Sequence, residues 1–117
     1  METKVNLQEK LSQFSEYWSP KTVGQFNGHD IMVVKAKDEF VWHSHPDTDD
    51  FFLVLKGRLT IEMRDKKVEL GPNELFVVPK GIEHKPYAEE EVHVLIIEPA
   101  GTPNTGDETT AAKRELI

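Results

Sequence analysis

The sequence predicts a mainly β domain, and three observations predict it. From Lys21 onward apolar and polar residues alternate with period two, turn-forming pairs such as Asn27-Gly28 and Lys80-Gly81 interrupt the alternation at short intervals, and no later segment carries the period of a helix. Strands joined without crossover helices pair antiparallel, because a parallel neighbour needs a connection of a dozen or more residues. The class is therefore a sandwich or jelly roll.

The first element is the exception to this pattern. Leu7, Leu11, Phe14 and Trp18 recur at intervals of four, three and four, which predicts an amphipathic helix over 6–18. Asn6 caps it, Glu9 stands at the capping-box position and Pro20 ends it. Its polar face is not basic, so it suits covering a sheet rather than lying on a membrane. The predicted strands follow in order: "KTVGQF", "DIMVVKA", "EFVWHSH", "FFLVLK", "RLTIEMR", "KVEL", "ELFVVP" and "EVHVLIIEP", about eight. The last segment, "GTPNTGDETTAAKRELI", is rich in turn formers and is expected to be loose unless Leu116 and Ile117 dock on the body or on a partner chain. The organisation is an N-terminal helical segment over 1–20, a β-barrel over 21–100 and a tail over 101–117.

Composition bounds the function. The chain has 117 residues, enough for one domain with a single core. Its net charge of -7, with basic residues scattered along the chain, opposes binding to nucleic acid or an anionic membrane. There is no cysteine, which excludes disulfides, thiol nucleophiles and thiolate metal sites. "METKVNLQEK" has charges where a signal peptide needs an apolar core, and no segment approaches a membrane span, so the expectation is a soluble cytoplasmic protein.

The chemistry-bearing residues are histidines. In a strand, His43 and His45 point to one face about 6.5 to 7 Å apart, so both can lean onto one metal ion. The same pattern also fits two solvated rings at a strand end, and the context decides between them. His29, after a turn, reads as solvated; His93, between Val92 and Val94, reads as a packed, hydrogen-bonded ring.

That context is a family pattern. "HSHPDTDDFFLVLKG" resembles the first cupin motif, with His43, His45, Asp50 and Gly57 on its positions; "PKGIEH" resembles the second, with Pro79, Gly81 and His84. The resemblance spans about residues 30 to 99. It implies a double-stranded β-helix barrel whose metal is held by His43, His45, Asp50 and His84, and it implies pairing into a homodimer. Imidazole and carboxylate ligands suit a divalent first-row ion: iron, manganese, nickel, zinc or copper. Asp50 stands where the family has glutamate, one methylene shorter, so it reaches the metal directly, through a water or not at all; Asp49 or Asp47 could substitute, but Asp50 keeps the family register. Lys37, Asn73 and Ala88 replace a glycine, a turn glycine and an asparagine of the pattern, and none supplies a ligand. Asn73 tolerates the positive φ its turn needs.

If Asp50 faces a metal, Phe52 and Val54 point into the barrel, and Phe51, Leu53 and Leu55 point out and need cover from the helix, a second sheet or another subunit. The implied function is a metal-dependent enzyme acting on a small polar, sugar- or acid-like molecule, as a dioxygenase, decarboxylase or isomerase. The alternatives are a non-catalytic cupin that binds or senses a small ligand, and a barrel without metal. Glu62, Arg64, Lys85 and Tyr87 are read as solvated strand-edge groups rather than substrate contacts.

Overall fold

The computed structural model describes residues 3–107, 109–112 and 114–117; positions 1 and 2 of the N-terminal segment and 108 and 113 of the tail lie outside the described residues. In chain order the elements are α1 (Leu7–Leu11), β1 (Lys21–Phe26), β2 (His29–Glu39), β3 (Asp50–Lys56), β4 (Leu59–Met63), β5 (Lys67–Leu70), β6 (Leu75–Val78), β7 (His84–Pro99) and β8 (Glu115–Leu116). The mainly β barrel is as predicted. Among the described residues no helix is long and apolar enough to cross a membrane.

β7 is the spine. Along one edge it pairs antiparallel with β2 from Glu39↔Tyr87 to His29↔Pro99. Along the other, its first residues pair with β4 and its later ones with β3. β5 extends from β4, β6 from β3, and β1 from β2, so β7 feeds both walls of the barrel. The wall facing inward is apolar: Met32, Phe52, Val54, Ile61, Val94 and Ile96 are all buried in one cluster. Each such side chain contributes roughly 1.5–3 kcal/mol on burial. A second cluster on the outside packs Leu11 of α1 against Val23 and Val33, with Phe14, Leu55 and Ile117 around it.

Three expectations are corrected. The helix over 6–18 stops at Leu11, although Asn6 caps it as expected, its Oδ1 accepting from the Glu9 N–H at 3.0 Å. Beyond it, backbone pairing with the sheet wins: Tyr17 bridges Lys35, and the Trp18 N–H donates to the Lys35 carbonyl at 2.8 Å. Phe14 still reaches the outer cluster, from an extended strap rather than a helix. Second, "EFVWHSH" is not a strand; β2 ends at Glu39, and only His43 makes a further bridge, to His84. Pro86 lies opposite this stretch, where its carbonyl accepts from Phe40 but it has no N–H to return. Third, the final barrel strand begins at His84, seven residues before the predicted Glu91, and runs straight through Pro86 and the Glu89–Glu91 run.

The tail is docked rather than loose. β8 pairs parallel with β1, and the Ile117 N–H donates to the Thr22 carbonyl at 3.0 Å. The buried Lys21 ammonium ties the strap and the tail together through Glu16 at 3.1 Å and Glu115 at 3.3 Å. Ile117 packs in the outer cluster as anticipated, while Leu116 remains exposed.

Candidate metal centre

Local backbone geometry sets the four side chains. His43 and His84 exchange both backbone hydrogen bonds, at 3.0 and 2.9 Å, which fixes the first motif beside the second. The Gly81 N–H donates to the His45 carbonyl at 2.8 Å; Gly81 sits at φ +81, a region its lack of a Cβ makes accessible. Gly57, at φ +86, turns the chain where any Cβ would meet the Glu91 carbonyl oxygen at 2.9 Å. Asp50 opens β3 on the inward face, in register with Val78. The inward and outward assignments along β3 are as expected: Asp50, Phe52 and Val54 are buried, while Phe51, Leu53 and Leu55 are half-buried.

The structure brings together all four predicted residues. His43, His45, Asp50 and His84 are buried, and each offers one ligand atom within 4.8 Å of the others. Asp50 Oδ2 lies at the focus, 2.8 Å from His84 Nε2, 3.2 Å from His45 Nε2 and 3.9 Å from His43 Nε2. The missing methylene does not keep Asp50 away from the rings. Asp47 and Asp49 are exposed, and Asp49 instead accepts the Lys80 N–H at 2.9 Å.

The hydrogen bonds of the rings test whether a cation fits. His43 Nδ1 is 2.9 Å from the Val41 carbonyl, and His84 Nδ1 is 2.9 Å from the Ile82 carbonyl. A carbonyl only accepts, so each neutral ring carries its proton on Nδ1 and turns an Nε2 lone pair into the cluster. At His84 that lone pair faces a carboxylate oxygen at hydrogen-bond distance, an arrangement that requires a shared proton or a cation. Ligand bonds of about 2.0–2.2 Å put neighbouring donors roughly 3 Å apart around one ion, which the two shorter separations match. The donor set therefore fits a divalent metal. His45 is oriented differently, for its buried Nδ1 has no hydrogen-bond partner among the described residues.

Burial and charge pull these groups apart. Burial pushes the His43 imidazole down to about 4. Burial also opposes charge on His45, yet hydrogen bonding to Asp50 and the Asp50 and Glu98 charges hold its pKa above the usual value. Burial would raise Asp50, but His45 and His84 outweigh it and hold the carboxyl below the usual range.

Sequence reasoning missed Glu98. It is 2% exposed, its Oε2 has no hydrogen-bond partner among the described residues, and that oxygen lies 3.9 Å from His45 Nε2. Burial, then repulsion from Asp50, pushes its carboxyl up to about 7. The signal was available: Val92, Val94, Ile96 and Glu98 share the inward face of β7, and a charge at the end of an apolar period-two row is out of place in a core. Glu98, His43 and Asp50 line a cavity of about 50 Å³ with Trp18, Phe40 and Phe52, and Asn104 brings the tail into its wall. Trp18 stacks on Phe40 with centroids 4.8 Å apart, and Phe40 meets the His43 ring edge-on at 5.2 Å.

The remaining polar candidates lie elsewhere. Lys85 pairs with Glu39 at 2.9 Å and Glu62 at 3.6 Å, Arg64 covers Trp42 at 3.7 Å, and Tyr87 is absent from the cavity wall. His29 is exposed, while His93 is hydrogen-bonded to Glu91 at 2.7 Å on the outward face.

A barrel with an inward His-His-Asp-His cluster defines the class, and comparison with known proteins gives the family. Residues 30–98 match the family described as Cupin domain. The chain belongs to the cupin family. A crystal structure of a cupin-2 domain protein from Shewanella frigidimarina is 45% identical, covering 81% of this chain and 93% of that one, with a TM-score of 0.80. NMB1881 from Neisseria meningitidis is 26% identical over 84% of this chain and all of its own, with a TM-score of 0.76. YdbB of Bacillus subtilis is 32% identical over 81 residues, 68% of this chain and 72% of YdbB.

Glu98 generates a pH prediction. Its carboxyl keeps a proton up to about pH 7 when folded but releases it near 4.5 when unfolded, so its contribution to stability is complete below 4.5 and lost as pH rises to 7. His43 acts in the opposite sense between about 4 and 6.5, because its folded-state pKa is depressed. Glu98→Gln removes the first contribution and weakens the support Glu98 gives the His45 charge, which acts in the same sense. In metal-free protein, denaturant unfolding is expected to show the variant gaining on wild type from pH 5 to pH 8, by roughly 1–3 kcal/mol; a difference independent of pH contradicts the burial of an ionisable Glu98.

Proposed function

We propose that this cupin binds one divalent first-row metal ion through His43, His45, Asp50 and His84 and acts as a metal-dependent enzyme on a small molecule. One observation carries the reading: three imidazole Nε2 atoms converge on one buried carboxylate oxygen, and two of those rings have their other nitrogen held by a backbone carbonyl. When bound, such an ion supplies Lewis-acid polarisation of a substrate oxygen. The protein's own residues do the rest. The Val41 and Ile82 carbonyls orient His43 and His84, and Trp18, Phe40 and Phe52 limit water in the cavity beside them. Low dielectric there strengthens every charge interaction with the ligand. Isomerisation, decarboxylation and oxygenation all use such a centre, and the fold does not choose among them. The donor set accepts iron, manganese, nickel, zinc or copper alike.

A second reading is a cupin that holds a small ligand without turnover. The narrowness of the cavity and the presence of Asn104 from the tail in its wall favour retention over exchange. Turnover of a bound ligand separates the two readings.

Pairing into a homodimer belongs to the same proposal. On the outer face, cross-strand register aligns Ile31, Ile97, Phe51 and Val77 in one row, and Leu95, Leu53 and Leu75 in the next. Leu75 and Val77 are 56% and 39% exposed on β6, where a second copy would cover them.

Elemental analysis of untagged protein is expected to give about one transition-metal ion per chain. His84→Ala is expected to lose most of it and with it the thermal stabilisation that added metal gives the wild type. Background metal in the wild type, or equal loading of the variant, overturns the metal assignment. Light scattering is expected to give twice the chain mass of 13.4 kDa for the wild type and a single chain for Val77→Asp; a monomeric wild type removes the dimer.

A further inference from the structure

We infer that Glu98 is the anchor for a ligand hydroxyl, so that the cavity takes small molecules carrying a metal-facing oxygen and, beside it, an O–H that donates to Glu98. The inference rests on the metal reading above and adds a residue and a ligand chemistry to it.

Glu98 has no structural task that uses both of its oxygens. Oε1 is 3.7 Å from the Arg114 guanidinium, but Arg114 is already occupied by Asp30 at 2.8 Å and by the Pro99 and Thr102 carbonyls. Among the described residues Oε2 has no hydrogen-bond partner, although Glu98 is 2% exposed. An unmet buried acceptor is unfavourable by on the order of 1–3 kcal/mol, and a leucine of similar size would pack at this inward position without that loss. The unpartnered oxygen lies 3.9 Å from His45 Nε2, and Glu98 lines the cavity together with His43 and Asp50.

The chemistry of the walls narrows the ligand. A hydroxyl both donates and accepts, so it satisfies Glu98 Oε2 with or without the carboxyl proton, whereas a group that only donates or only accepts satisfies one form alone. Trp18, Phe40, Phe52 and Ile96 are apolar, and the Asn104 amide in the same wall is already bonded to the Trp18 carbonyl and the Ala112 N–H, so the ligand's remaining atoms gain little from further polar groups. A volume of about 50 Å³ holds roughly three to five waters at about 10–15 Å³ each, which sets the scale of a two- or three-carbon hydroxy acid or hydroxy carbonyl compound.

The test uses full-length protein loaded with cobalt(II), titrated with glycolate and with acetate and followed by visible absorption. The two probes share the carboxylate and differ by one hydroxyl. Wild type is expected to bind glycolate at least about tenfold more tightly than acetate. Glu98→Leu is expected to abolish that preference while cobalt content and acetate affinity stay unchanged. Glu98→Gln is expected to retain a reduced preference, because its amide offers one acceptor oxygen where the carboxyl offers two. Equal affinities in the wild type, or an undiminished preference in both variants, overturn the assignment of Glu98 alone; failure of the wild type to take up cobalt overturns the metal reading beneath it. If Glu98→Leu does not fold, Glu98→Gln decides, and an unchanged preference there overturns the anchor.

Discussion

Two backbone hydrogen bonds between His43 and His84 are the constraint on which the centre depends. Forty residues lie between these positions, and no local rule of helix or strand would bring them together. Once their main chains are paired, one ring of each motif faces the same buried point. The Gly81–His45 bond extends the same seam and holds the third imidazole in place. Asp50 reaches the focus from a different direction, as the first inward residue of β3. A metal centre of this kind is therefore a property of the barrel's closure, not of either motif alone.

β7 supplies the scaffold for that closure. A strand of 16 residues paired on both edges cannot shift register without moving the inward row that ends in Glu98 away from the row of β3 that begins with Asp50. The tail acts on the same end of the barrel. Arg114 links Asp30, the Pro99 carbonyl and the flank of Glu98, and Asn104 enters the cavity wall. Residues that looked like a loose extension thus border the site, and the outer aliphatic rows on the opposite face of the same strands leave the inner face free for chemistry.

Much of this was legible in the residues themselves. Period-two alternation located seven of the eight strands, because each has one face in an apolar core. The resemblance of the two histidine segments to the cupin motifs pointed to His43, His45, Asp50 and His84, which the His43–His45 spacing alone did not. What was not legible has physical causes. Phe14 and Trp18 keep a helical spacing, but β2 offers Trp18 a backbone partner at Lys35, and a five-residue helix has too little internal cooperativity to compete. The start of β7 was hidden because Pro86 and three successive glutamates read as a loop, whereas the proline needs only its carbonyl there and the glutamates bulge to solvent. β8 was hidden because two residues carry no periodicity. Glu98 lies outside both histidine motifs, and its meaning comes from the company it keeps on the inward face of β7.

The central claim is that one ion sits among four side chains. Anomalous diffraction from crystals of the metal-loaded protein, collected at the absorption edge of the ion found by elemental analysis, tests it most directly. The account predicts one dominant peak per chain, about 2.0–2.3 Å from Nε2 of His43, His45 and His84 and from a carboxylate oxygen of Asp50. A peak elsewhere on the surface, with the four side chains empty and hydrogen-bonded to one another, contradicts it.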